Sequence, residues 1–195
     1  MRYNTFKEWA IAQHANTNHM YDGKIGDPTA LPYSYHLKMV NDVLYRFKWL
    51  IDKLHGEGLC PRFELIELAC WGHDLIEDAR ASYNDVMKVL TNWFGYSKED
   101  ARIVAEIIRA VTNNGRGRNR PEKMPDYIYV EIFETPGADI TKLCDRGGNV
   151  LHGLIKGSSQ KGMYKEEHAH FKKMLYKEHL KPMWDWIQKL FETEL

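Results

Sequence analysis

One histidine and three carboxylates occupy six positions, His73 to Asp78, within the segment WGHDLIEDA (71–79). The neighbouring residues are apolar and helical in pattern, so these polar side chains lie where a core helix is expected. Clustered carboxylates repel one another, and partial exclusion of water strengthens the repulsion unless a cation compensates it. The segment therefore predicts either a metal site or an ordinary acidic helix face, and a His-Asp pair alone does not separate the two.

Two further groups would complete a set of metal ligands if the fold brings them to the same place. His36 interrupts an apolar helical stripe in LPYSYHLKMV, and Asp145 lies in the largely apolar ITKLCDRGGNV. Each also has an ordinary interpretation, His36 as a hydrogen-bonding group of the core and Asp145 as an ion-pair partner of Arg146. With His73 and Asp74 they make two imidazoles and two carboxylates, a set that suits manganese, iron, zinc or magnesium.

Helical periodicity dominates the elements that must hold these groups. Apolar residues recur every three or four positions over 36–54 and 97–111, which predicts a helix over each range. Pro61 can open another helix, which the pattern carries to residue 79. Residues four apart on a helix share a face, so the acidic pair 77–78 is expected one turn beyond the pair 73–74.

The remaining pattern is also helical. Ser82 is expected to cap a helix that ends before Gly95. Later helices are predicted at 125–135, 137–156, 160–178 and 182–194. Strand-like alternation is limited to YIYVEIF, whose helical neighbours make it ambiguous. We therefore predict an all-α bundle with two notable loops, 22–32 and the Arg/Gly-rich 112–125, in which facing helices can build a metal site.

Bulk composition gives few indications of a partner. The chain has 195 residues, enough for a single domain over 1–195, and its formal net charge of zero does not predict binding to nucleic acid. Three cysteines without a C-x-x-C pair do not suit a disulfide framework or a thiolate zinc site. Apolar runs of signal-peptide or membrane-span length are absent. We expect a cytoplasmic protein without membrane attachment, whose oligomeric state the sequence does not indicate.

The order H…HD…D resembles that of the HD-domain metal-dependent phosphohydrolases, and most closely the SpoT/Rel-type alarmone hydrolase domain and its small single-domain homologues. PYSYHLKMV is similar to P-Y-x-x-H-P-x-x-V, HDLIEDA to H-D-x-x-E-D-T, and ITKLCDRGGNV to K-L-A-D-R-x-x-N. These motifs follow the family order over about residues 10–180. Leu37 replaces the usual proline, and the two glycines of DRGGNV suggest a looser helix or a close approach by substrate.

The resemblance implies an HD-domain helical bundle with a buried site for one metal ion. Its ligands would be His36, His73, Asp74 and Asp145. The ion is usually Mn²⁺, and Fe²⁺, Zn²⁺, Co²⁺ and Mg²⁺ are alternatives. A bound divalent ion lowers the pKa of its water from about 15.7 towards 7. Glu77 and Asp78 resemble the acidic pair that orients or activates the attacking water.

Four residues are predicted to contact the substrate: Lys24, Tyr33, Arg146 and Asn149. Arg146 and Asn149 match the D-R-x-x-N positions near metal and substrate, although Arg146 could instead pair with an acid and Asn149 could be a surface residue. Lys24 lies at the position where the family has a basic residue against the nucleobase. The loop that contains it is longer than the usual connection of the family. Other cations that could offset phosphate charge are Lys142, Arg116, Arg118 and Arg120, and His14, His19 and His152 are expected not to be ligands.

The predicted function is Mn²⁺-dependent removal of pyrophosphate from the 3′ position of the guanosine alarmone (p)ppGpp, a small nucleotide. One alternative is hydrolysis of another nucleotide, by a 5′-nucleotidase, a deoxynucleotide triphosphohydrolase or a 3′-phosphorylated nucleotide phosphatase. Another is a module that senses a nucleotide without turnover. The intact acids Glu77 and Asp78 favour an enzyme, because a sensor does not need groups that activate water.

Overall fold

A computed structural model describes residues 3–113, 124–157 and 160–193, and over these ranges the chain is an all-α bundle with one small sheet. The helices are α1 (Phe6–Asn16), α2 (Tyr33–Arg46), α3 (Lys48–Gly56), α4 (Phe63–Gly72), α5 (Leu75–Asp78), α6 (Tyr83–Asn92), α7 (Lys98–Val111), α8 (Asp126–Glu134), α9 (Ala138–Lys156), α10 (Gln160–Leu175) and α11 (Lys181–Glu192). A 3₁₀ helix, Glu178–Leu180, precedes α11. Within the described ranges, no helix combines the length and the apolar character needed to cross a membrane.

Several helix boundaries follow the capping signals of the sequence. The Ser82 side chain accepts a hydrogen bond from the amide of Asp85, whose carboxylate accepts one from the amide of Ser82 in return. Ser97 likewise caps α7 through the amide of Asp100. The ambiguous run YIYVEIF is helical and forms most of α8, because three of its apolar side chains pack into the core.

Two predicted helices are wrong as continuous elements. The stripe over 36–54 is divided at Phe47, where α2 ends and α3 begins. The helix expected over 61–79 ends at Gly72, and the chain turns at His73–Asp74 before the four residues of α5. Only tertiary packing explains this second break, since the local apolar pattern continues through it. The turn places both polar residues at a corner, and the Asp78 amide still donates to the Asp74 carbonyl at 2.9 Å.

A two-stranded antiparallel sheet is an element that the sequence did not predict. Strand β1 (Met20–Asp22) pairs with β2 (Leu31–Pro32), so the expected 22–32 loop is a hairpin connection with short strand segments at its ends. Gly23 has a φ of +77°, and a Cβ there would lie 2.9 Å from Ala30, so glycine suits this position. Of the second expected loop, residues 114–123, with Arg116, Arg118 and Arg120, lie outside the described residues.

Helix α9 runs through the middle of the bundle and is buried along almost its whole length. It packs against α2, α4, α7, α10 and α11. Of the two glycines of DRGGNV, Gly147 makes a close contact, since a Cβ there would lie 2.6 Å from the Trp186 ring of α11. A Cβ on Gly148 would lie 3.5 Å from Val40 of α2, an ordinary van der Waals distance. Close packing against α11 therefore accounts for Gly147, whereas the surroundings of Gly148 would accommodate a Cβ.

Candidate metal centre

The four predicted ligands come from three separate parts of the chain and lie side by side. The ligand atoms of His36, His73 and Asp74 are all within 4.8 Å of one another, and Asp145 borders the two imidazoles. His36 lies on α2, His73 and Asp74 form the turn between α4 and α5, and Asp145 lies on α9. The two Nε2 atoms are 3.2 Å apart, and the Oδ1 atom of Asp145 is 3.3 Å from Nε2 of His36. The Oδ2 atom of Asp74 is 2.8 Å from Nε2 of His73 and 3.9 Å from Nε2 of His36.

These separations suit a shared cation. Nitrogen and oxygen ligands lie about 2.0–2.2 Å from an ion such as Zn²⁺, which puts neighbouring ligand atoms roughly 3.0–3.5 Å apart. His73 also has the hydrogen bond that orients a ligating imidazole, because its Nδ1 is 2.9 Å from the carbonyl of Cys70 and donates to it. Its Nε2 then faces Asp74 and the centre. The donor set therefore fits a divalent ion.

The charges of the site also favour a positive charge between the two carboxylates. Burial opposes protonation of His73, but the carboxylate of Asp74 outweighs burial and raises the pKa of His73 to about 10. Burial similarly opposes ionisation of Asp145, but Lys142 and the two imidazoles lower its pKa well below the ordinary value. In the metal-free protein, a proton on His73 thus supplies the positive charge that a metal ion would otherwise supply to balance the carboxylates.

A second layer of side chains holds the two carboxylates. The Tyr33 hydroxyl donates to Oδ2 of Asp74. Asp145 accepts from Lys142 at 2.9 Å on Oδ2 and from Asn149 at 2.6 Å on Oδ1. Hydrogen bonds of this kind fix the orientation of ligating groups and tune their basicity.

One member of this outer layer was missed by the sequence reasoning. The Tyr21 hydroxyl donates to the Oδ1 atom of Asn149 at 2.8 Å, and its ring stacks on His36 with the centroids 4.6 Å apart. Tyr21 belongs to strand β1, and that strand was not predicted. No local pattern in the sequence marks it, so only the fold reveals its contact with the centre.

The predicted water-activating acids lie on α5, directly after the turn that His73 and Asp74 form. Glu77 accepts a hydrogen bond on Oε2 from the backbone amide of Asn113, at 2.8 Å, where the chain leaves α7. Asp78 lies with its Oδ2 atom 4.0 Å from Nε2 of His19. Both side chains are partly exposed, whereas His36, His73 and Asp145 are buried. Their role in activating water stays a prediction.

The four predicted substrate contacts have very different surroundings. Tyr33 and Asn149 are buried and hydrogen-bonded to the predicted ligands Asp74 and Asp145. Arg146 turns away from Asp145: it pairs with Glu167 at 3.1 Å. Its guanidinium also lies 4.4 and 4.3 Å from two aromatic rings of α10. Lys24 is exposed in the connection between the strands. The structure thus brings two of the four to the centre, and substrate contact by any of them stays a prediction.

Comparison of the chain with known proteins yields no match, either among models of protein families or at a significant level among curated proteins. A functional assignment therefore depends on the geometry of the centre and on the motif resemblance.

Proposed function

We propose that this protein is a divalent-metal-dependent phosphohydrolase of the HD type that acts on a nucleotide. The first candidate reaction is removal of pyrophosphate from the 3′ position of (p)ppGpp, with Mn²⁺ as the first candidate ion. The observation that carries the proposal is that the Nε2 atoms of His36 and His73 are 3.2 Å apart, and that an oxygen of each carboxylate, Asp74 and Asp145, lies 2.8–3.9 Å from both of them. Two carboxylates and two neutral imidazoles carry two negative charges, which a divalent cation balances.

A divalent ion held by these groups would supply the charge that acidifies a coordinated water and offsets the charge of a phosphate. The protein's own groups then have distinct tasks. Glu77, fixed by the Asn113 amide, accepts the proton of the attacking water. The water oxygen bonds to the phosphorus next to the ribose 3′ oxygen, and the bond between that phosphorus and the 3′ oxygen breaks. The 3′ oxygen takes up a proton, returned from Glu77 through solvent, so that pyrophosphate and a ribose 3′-hydroxyl are the products. Lys142, 2.9 Å from Asp145, places a positive charge beside the centre that counters the charge developing on phosphate.

A product assay tests this proposal. Purified protein with Mn²⁺ would be offered ppGpp, deoxynucleoside triphosphates, nucleoside 5′-monophosphates and 3′-phosphorylated nucleotides in parallel. Asp74→Ala removes a proposed ligand. Asp185→Ala is the matched control, because Asp185 is an exposed residue of α11 paired with Lys181.

Pyrophosphate release from ppGpp that is lost in Asp74→Ala and kept in Asp185→Ala is the expected result. Turnover of another nucleotide alone would keep the metal-dependent chemistry and replace the alarmone with that substrate. If the folded wild-type protein turns over none of these compounds with any divalent ion, the hydrolase proposal is wrong, and nucleotide binding should be measured instead.

A further inference from the structure

Two histidines that were expected not to be ligands form a second imidazole pair beside the candidate metal centre. His14, near the end of α1, is almost completely buried, and its Nδ1 is 3.1 Å from the Nδ1 of His19. On its other side, Nε2 of His19 lies 4.0 Å from Oδ2 of Asp78. The three side chains therefore form a line from the buried His14 of α1 to one of the two acids on α5.

The contacts select one proton arrangement for this line. A neutral imidazole has one donor and one acceptor nitrogen, so either His14 or His19 donates across the Nδ1–Nδ1 contact. If His14 donates, the proton of His19 is on Nε2 and faces the carboxylate of Asp78. In the opposite arrangement, a lone pair of His19 would face that carboxylate, and two acceptors would oppose each other.

The buried end of the line favours the same arrangement. Nε2 of His14 is buried without a hydrogen-bond partner among the described residues. A buried donor without a partner is rarer than an under-satisfied acceptor, so this nitrogen is better assigned as the lone pair, with the proton on Nδ1. Burial also lowers the pKa of both histidines, that of His14 to about 3, which keeps the pair neutral near pH 7.

Stacking with Tyr33 holds the two histidines next to the turn at His73–Asp74. The Tyr33 ring lies 4.4 Å from the ring of His14 and 3.9 Å from that of His19, in both cases nearly parallel. The Tyr33 hydroxyl donates to the proposed ligand Asp74. His19 is thereby fixed in orientation relative to the candidate metal centre.

We propose that His14 and His19 form a positioning relay for Asp78. His14 sets the tautomer of His19, and His19 directs its Nε2–H towards the Asp78 carboxylate, which then orients the attacking water. This last step rests on the proposed hydrolase function. The 4.0 Å separation exceeds a hydrogen bond, so the relay requires a rotation of the partly exposed Asp78 side chain or one bridging water to connect the two groups. His19 is a positioning residue, since it acts through Asp78.

The tautomers of both histidines can be determined by NMR spectroscopy, independently of any enzymatic activity. Long-range ¹H–¹⁵N correlation spectra of the metal-free protein near pH 7, assigned with single histidine variants, distinguish the two neutral forms of each ring. We expect His19 with its proton on Nε2 and His14 with its proton on Nδ1. His19 protonated on Nδ1, or charged at this pH, would overturn the relay.

Kinetics test whether the relay acts through Asp78. His19→Phe keeps a ring against Tyr33 but loses the N–H, whereas the side-chain amide of His19→Gln can replace an Nε2–H. We expect His19→Phe to lower kcat about tenfold or more, with KM and Mn²⁺ affinity within about threefold of wild type. His19→Gln should recover most of kcat. His170→Phe is the matched control, because His170 is an exposed residue of α10.

Equal losses in the Phe and Gln variants, or loss of Mn²⁺ affinity with kcat unchanged, would overturn the relay. A folded wild-type protein without turnover of any nucleotide would overturn the proposed function. The tautomer spectra would still decide whether His19 presents its N–H to Asp78.

Discussion

Metal binding is expected to displace one proton from His73. Its pKa of about 10 in the metal-free protein means that His73 is protonated at neutral pH, whereas a metal ligand must offer a free Nε2 lone pair. Asp74 and Asp145 have lowered pKa values and are already ionised, so they release no proton. At pH 7, three units below the pKa of His73, this competition weakens metal affinity about 10³-fold, or about 4 kcal/mol.

The direction and the slope of the pH dependence of metal affinity follow from this competition. Raising the pH removes the competing proton, so the apparent affinity for Mn²⁺ should rise about tenfold per pH unit between pH 6.5 and 8.5. Isothermal titration calorimetry in buffers of different ionisation enthalpy should count about one proton released per ion. His73→Gln should lose tight binding, and Asp185→Ala should keep it. An affinity independent of pH, or binding without proton release, would refute this account of the centre.

Two further predictions concern stability. Gly147→Ala should destabilise the fold by about 1–2 kcal/mol, because the cost of overpacking against the Trp186 ring exceeds the gain in helix propensity. Gly148→Ala should be neutral or stabilise the fold by up to about 1 kcal/mol, because a Cβ fits there at an ordinary van der Waals distance. Urea denaturation measures both, and equal effects would contradict the packing argument. Burial lowers the pKa of His14 to about 3, so the unfolded chain binds more protons at this position and stability should fall from pH 6.5 towards 3, by at most about 5 kcal/mol. His14→Phe should flatten this decline in acid denaturation curves.

The helical class and the types of polar residue at the centre can both be predicted from the amino-acid sequence. Apolar periodicity and the caps at Ser82 and Ser97 specify most helices, because these signals act within a few residues. The residues His36, His73, Asp74 and Asp145 were also selected before any distance was known, since such polar groups are out of place in apolar helices.

How these groups come together, and which residues surround them, depends on the packing of the helices. The break at His73–Asp74 ignores the local helical pattern, and Arg146 binds Glu167 on α10 instead of its neighbour Asp145. The support of Asn149 by Tyr21 and the contact between His14 and His19 were also not predicted. Local propensity describes an interaction between near neighbours in sequence, whereas these contacts depend on how α1, α9, α10 and β1 pack in space.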